Sequence, residues 1–286
     1  MRRALASLLV FSALGAAACG PKKPADNPLH YTENAKRAYD EALDAFFDHD
    51  WELTIELMKE VKRKYGYSRY ARLADLRIAD AMYHQEKFPE AMGAYKAFVH
   101  DYPNDPEVPY ARYRVAKSLF EQSSQSILLP PLEERDLASV HDAYTTIQAF
   151  LQDYPTYKHS RELEFMLESV AGLLARHELY VARFYLNEDN FEAAVARCQY
   201  ALRHYEGSGL EAEAMVLLGE TYMKMKHRRK ARAVLEQMLA LYPDSPFVLP
   251  AKNFLKLLGG NPESIRPAPP EATAPLGAKA APESLE

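Results

Sequence analysis

Cysteine, glycine and strand-like alternation are all scarce in this chain of 286 residues, and each scarcity closes off a class of protein. Of the two cysteines, Cys19 falls at the end of a leader-like segment. Only Cys198 is then left for the fold, so no internal disulfide can staple it; an unpaired buried thiol is expected to be inert. The 11 glycines include no phosphate-cradling loop, and HExxH, CxxC and GxSxG patterns are missing too. Nine histidines are scattered with no pair at i, i+4, which leaves no metal-ligand pattern. No catalytic constellation emerges, and the chain reads as a non-enzyme that needs no cofactor and no metal. A basic surplus is lacking as well: the formal net charge is -5, which argues against a nucleic-acid partner. No apolar run reaches the ~20 residues of a membrane-spanning helix. No segment alternates as a hairpin strand does.

What is present begins at the N-terminus. Arg2 and Arg3 precede an apolar stretch from Ala4 to Leu14, and Ala16, Ala17 and Ala18 stand just before Cys19. This is the layout of a secretory signal. With cysteine following the small residues, it resembles the bacterial lipobox, in which that cysteine becomes the first mature residue and carries lipid. Two attachment points, sulfur and α-amine, suit stable anchoring, because one acyl chain holds a protein only marginally. Residues 1–18 are therefore expected to be a signal peptide, and 19–31 a lipidated Cys19 with a flexible linker. Gly20 after the cysteine favours sorting to the outer membrane. Loss of the two arginines moves the net charge of the mature chain to -7.

Five segments end on a tyrosine: "KRKYGYS", "VHDYPNDP", "LQDYPTYKHS", "LRHYEGSG" and "LALYPDSP". The tyrosines are Tyr65, Tyr102, Tyr154, Tyr205 and Tyr242, spaced by 37, 52, 51 and 37 residues. The unequal spacing hides a fixed register. Eleven residues before each stand Thr54, Ala91, Ala143, Ala194 and Ala231, all small. Seven before stand Met58, Tyr95, Ile147, Cys198 and Leu235, on the same helical face. Fourteen before stand Trp51, Phe88, Val140, Phe191 and Arg228. Each block reads as the second helix of a helical hairpin, with the small residue allowing close approach of its partner.

First helices are expected over Thr32–His49, Tyr70–Glu86, Tyr110–Leu128, Ser160–Asn187 and Leu210–Lys226, the third and fourth being longer. The fold class is then all-α, an α-solenoid of five hairpins. Its parts are 32–109 (repeats one and two), 110–159 (repeat three, with the Pro-rich loop "SSQSILLPPLEERD"), and 160–258 (repeats four and five). Residues 259–286 are Pro/Ala-rich and read as a disordered tail.

The pattern resembles tetratricopeptide repeats, and more closely the BamD family of outer-membrane lipoproteins. The carrying features are the lipobox cysteine, the unequal spacing, "PPLEERDLASVHDAYTTIQAFLQDYPTYKHS", and "LARHELYVARFYLNEDNFEAAVARCQYALRHY" from Leu174 to Tyr205. The resemblance spans about residues 19–258. It implies a lipid-anchored scaffold on the periplasmic face of the outer membrane. The C-terminal repeats would dock a POTRA domain of a BamA-like barrel protein, and the N-terminal repeats would receive unfolded outer-membrane β-barrel proteins. The alternative is another envelope adaptor lipoprotein, such as a secretin pilot.

Two residue sets are candidates for these contacts. Tyr39, Phe46, Phe47, Tyr70, Arg72, Arg77 and Tyr83 are candidates for a substrate groove, where an apolar wall with arginines at its margin would suit an aromatic end and a carboxylate. Arg197, Arg203 and His204, with Arg228 and Arg229 of "KMKHRRKAR", are candidates for partner docking, since arginine's planar fork binds carboxylates bidentately.

Overall fold

The computed structural model describes residues 30–124 and 137–266. The leader with Cys19, the linker to residue 29, the Pro-rich stretch 125–136 and the tail from 267 lie outside the described residues. Among the described residues the chain forms eleven α-helices and no strand. In order they are α1 (Tyr31–Phe47), α2 (Trp51–Lys64), α3 (Arg69–His84), α4 (Phe88–Asp101), α5 (Val108–Ser124), α6 (Ala138–Asp153), α7 (Ser160–Asn187), α8 (Phe191–His204), α9 (Glu211–Lys224), α10 (Arg228–Leu241) and α11 (Val248–Leu257).

The five tyrosines are the C-caps of α2, α4, α6, α8 and α10. Each donates its N–H to the carbonyl four residues back, and each carbonyl accepts from the N–H three residues on, at Ser68, Asp105, Tyr157, Ser208 and Ser245. The same turn thus closes one hairpin and launches the next, whatever the length of the next helix. Within four hairpins the first helix ends on a left-handed residue: His49, Glu86, Asp189 and Lys226, with φ of 55–61°. The next N–H in each, at Asp50, Lys87, Asn190 and His227, returns to a carbonyl five residues back. That is the Schellman closure, here built without glycine.

Register decides burial. The small residues eleven before the tyrosine and the larger ones seven before are all fully buried, Cys198 among them. Burial pushes the Cys198 thiol up to about 12, so it stays protonated and inert. Each helix packs on the next in sequence, the arrangement of a solenoid. α7, 28 residues long, spans two cores: Leu163 to Ala175 pack with repeats two to four, and Leu179 to Leu186 with repeats four and five.

One detail differs from the sequence expectation, and one is met only in part: α5 is described from Val108 to Ser124, and residues 125–128 of the expected third first helix lie outside the described residues. α11 is an additional helix after the fifth tyrosine turn, with Ala251 and Leu255 buried against α10 and α9. It completes the last hairpin's apolar face, and Gly259 at φ 69° ends it.

Candidate functional site

The groove candidates divide by what they touch. Tyr39 and Tyr70 are buried, with ring centroids 5.6 Å apart. Phe46, at the end of α1, meets Trp51 at 5.3 Å and His84 at 5.8 Å, and the Arg77 guanidinium lies 6.0 Å from its centroid. Tyr83 packs on Phe88 at 5.2 Å. Phe47 is 69% exposed and touches the group only through an edge contact with Phe46, ring centroids 6.1 Å apart. Arg72 is not part of the group: its Nε donates to Asp105 Oδ2 at 3.0 Å, and it braces the turn after α4.

What joins the remaining residues is Asp80, 1% exposed, which the sequence reading passed over. Tyr95 donates to its Oδ1 at 2.5 Å and Tyr110 at 2.6 Å. Arg77 Nη1 lies 2.7 Å from its Oδ2, an ion pair without hydrogen-bond alignment. Arg114, from α5, brings Nε to 2.9 Å from Tyr95 Oη and 3.5 Å from Asp80 Oδ1. The Arg114 guanidinium also covers the Tyr83 ring at 3.9 Å from its centroid, close enough for a cation–π contact. One carboxylate is therefore held between two guanidiniums inside a cage of tyrosines. Arg77 Nε and Arg114 Nη2 are buried and find no hydrogen-bond partner among the described residues.

Burial, and then the Asp80 charge, raise the pKa of Tyr95 and of Tyr110 well above the ordinary phenol value, so both stay protonated and donate. Tyr83 is raised by burial and by Glu121, to which it donates at 3.4 Å. The two guanidiniums are offset by the Asp80 carboxylate and by Glu121 behind Tyr83, and two buried guanidinium nitrogens remain without partners among the described residues, beside aromatic faces. Among the described residues no three His, Cys, Asp or Glu side chains converge as for a metal.

The docking candidates do not form one patch. Arg197 reaches back to Glu178 on α7 at 3.1 Å. Among the described residues Arg203 bonds its own helix, donating to the Gln199 carbonyl at 3.2 Å, and the His204 and Tyr200 ring centroids are 4.2 Å apart. Both are exposed at the C-terminal end of α8. Arg228 and Arg229 open α10, and by the tyrosine register their counterparts in α8 are Phe191 and Glu192. At ~1.5 Å per residue that is about 18 Å from Arg203 along the helix direction. Arg228 instead turns to the end of α11, 3.4 Å from the Leu258 carbonyl.

A family profile described as "Outer membrane lipoprotein" (YfiO) matches residues 32–237. The chain belongs to this family. The match to the YfiO family runs from α1 into α10, taking in both residue sets and stopping short of α11. Among curated relatives, a Caulobacter vibrioides protein is 26% identical over 229 residues, covering 80% of this chain and 72% of its own. One from Neisseria gonorrhoeae is 23% identical over 246 residues, covering 84% and 92%. One from Xylella fastidiosa is 24% identical over 232 residues, covering 79% and 77%. All three bear the name outer membrane protein assembly factor BamD. Family membership associates the chain with the outer membrane; among the described residues no helix is long and apolar enough to cross one.

Proposed function

We propose that the chain is an outer-membrane protein assembly factor, a scaffold held on the periplasmic face of the outer membrane by lipid on Cys19. Repeats one and two, residues 32–109, receive unfolded β-barrel proteins, and α5 of repeat three lends them Tyr110 and Arg114. Repeats four and five dock a POTRA domain of a BamA-like barrel protein. The family match and the names of its relatives support the role. Cys19 lies outside the described residues, and its lipidation rests on the sequence motif.

The observation that carries the receiving half is the cage around Asp80. Two guanidiniums share one carboxylate, two of their nitrogens lack partners, and Phe46, Tyr83 and His84 lie beside them. An extended peptide with an aromatic end and a carboxylate supplies both missing elements, an anion and a ring. Arg77 and Arg114 take the anion, while Tyr39 and Tyr70 pack behind. Arg72 has no part in it.

For the docking half, Arg203 is the cleaner probe, because Arg197 is already tied to Glu178. Affinity capture from detergent-solubilised envelope tests the role. A large barrel protein with POTRA domains should co-purify, and Arg203→Glu should reduce its yield with helix content unchanged. Recovery of a secretin in its place would move the chain to the pilot class. Full retention by Arg203→Glu would remove that residue from the interface.

A further inference from the structure

α10 begins against the pattern of three of its four sister helices; α6, the fourth, also lacks a side-chain cap and a first-turn acid but carries no Lys or Arg there. α2 opens on an Asp50 cap with Glu52 in its first turn, α4 carries Glu90, and α8 has an Asn190 cap with Glu192. Those placements complement the positive end of the helix dipole. α10 has no side-chain cap and no acidic residue there; Arg228, Arg229 and Lys230 fill the first turn. Each cation so placed is repelled by the positive end of the helix dipole. With Lys224, Lys226 and Arg232, six exposed cations lie between residues 224 and 232 with no carboxylate among them. None of the six makes an ion pair among the described residues, although Arg228 and Arg232 donate to the Leu258 carbonyl. A local rule broken without a local compensation points to a partner.

The chain itself supplies an anionic segment at this place. After α11, Pro262–Ser264 forms a 3-10 turn, and Ile265 packs on the core shared by α9, α10 and α11. Gly260 lies next to the Arg232 side chain. The chain therefore leaves the described region beside the basic face. Residues 267–286, outside that region, carry Glu271, Glu283 and Glu286 against Lys279, with five prolines. Glu271 is five residues past Arg266, within ~17 Å of chain. A tethered segment this close has an effective concentration in the millimolar range, so an intrinsic dissociation constant in the millimolar range suffices to populate the contact.

We propose that residues 267–286 dock on the basic face formed by α10 and the turn before it. The tail is then a built-in competitor for any acidic partner of Arg228 and Arg229. The contact itself does not depend on the proposed POTRA docking; only the competition does.

The test uses the full chain with a photo-crosslinking benzoylphenylalanine replacing Leu276 or, separately, Leu285, and locates the cross-links by mass spectrometry. Cross-links should concentrate on residues 224–232. Yield should fall about fivefold from ~50 to ~500 mM salt, as the Debye length shrinks from roughly 14 to roughly 4 Å. Reversing Lys226, Arg229 and Lys230 to Glu should abolish them, and adding Glu271→Lys, Glu283→Lys and Glu286→Lys should bring them back. The reversed helix start complements the dipole, so helix content and melting temperature should hold or rise, which separates loss of contact from loss of fold. Cross-links scattered over the chain, indifferent to salt, or not restored by the second reversal would overturn the proposal. So would their transfer to lipid when anionic phosphatidylglycerol vesicles are added, which would assign the face to a membrane surface. Loss of barrel-partner capture with these cross-links intact would bear on the docking role alone.

Discussion

Asp80→Asn changes almost no volume, so it isolates charge from packing. The wild-type carboxylate, buried on α3, takes hydrogen bonds from Tyr95 and Tyr110 and faces Arg77 and Arg114. An asparagine with Oδ1 in the same place can still accept both tyrosine protons, but its amide nitrogen then points donors at the Arg77 guanidinium. Removing one partner of a buried ion pair costs about 3–5 kcal/mol. The Arg77 side chain keeps 25% of its exposure and Arg114 11%, so water screens part of the uncompensated charge and the low end, about 3 kcal/mol, is expected. For a domain of this size that is a melting-temperature drop of about 6–12 °C. In a solenoid the loss should fall first on the repeats that share the cluster. Trp51, the only tryptophan, sits in α2 and reports on those repeats. Its fluorescence midpoint in urea should shift further than the far-ultraviolet circular dichroism midpoint, which averages all helices. Adding Arg114→Met removes one orphaned charge, so the double variant should lose at least ~1 kcal/mol less than the sum of the singles. A single-variant loss under ~1 kcal/mol, or strict additivity, would refute the electrostatic account of the cage.

A methyl group at Gly219 would meet Leu235 carbons at 2.7 and 2.8 Å. Leu235 is fully buried and cannot step aside, so overpacking of about 1–3 kcal/mol outweighs a helix-propensity gain of at most ~1 kcal/mol. Gly219→Ala should therefore lower the urea midpoint, with recovery in the Leu235→Val background; an increase would show that α9 and α10 can part. His84 stacks on Trp51 at 4.7 Å with the rings nearly parallel, and burial, then Arg114, lowers its pKa. The imidazole is neutral at pH 7, and protonation below its ordinary value of ~6.5 places a cation over the indole and quenches it. Because the unfolded chain takes this proton more readily, the linked stability is present above about 6.5 and is lost as pH falls toward the lowered folded value. A titration of Trp51 emission that is flat from pH 8 to 5, or centred above 6.5, would contradict the assignment; His84→Gln should abolish the transition.

The repeat register was legible because it is local. Each second helix carries its small residue, its core residue and its closing tyrosine within fifteen positions, so the spacing of the hairpins did not matter. α7 was legible end to end, since it has no internal proline and keeps one apolar face. α11 was not, although Val248, Ala251, Leu255 and Leu258 keep helical spacing; Pro250 in its first turn and the Pro-rich sequence beyond made it read as the approach to a tail. The candidate site was half legible. Arg77 and Asp80 are three apart on one helix and could have been paired from sequence. Tyr95, Tyr110 and Arg114 come from α4 and α5, and only the packing of successive hairpins brings them to Asp80. Arg72 failed for the complementary reason: its partner Asp105, 33 residues on, sits in the turn that closes the same hairpin after α4, so a residue that looked available was already engaged.

The same distinction bears on how the two proposed halves communicate. α7 contributes Leu163, Met166, Val170 and Leu174 to the core beneath the receiving repeats, and Leu179, Ala182 and Leu186 to the core beneath the docking repeats. Glu178, buried between these two series, holds Arg197 of α8. A rigid helix of 28 residues, about 42 Å long, cannot tilt at one end and stay still at the other. Any displacement of repeat three by an occupant of the Asp80 cage must therefore reach Glu178 and Arg197, or be absorbed by bending α7 against two packed cores. Interiors this dense resist such bending. The extra length of the fourth first helix, which a uniform repeat array would lack, is what makes the two halves one mechanical unit.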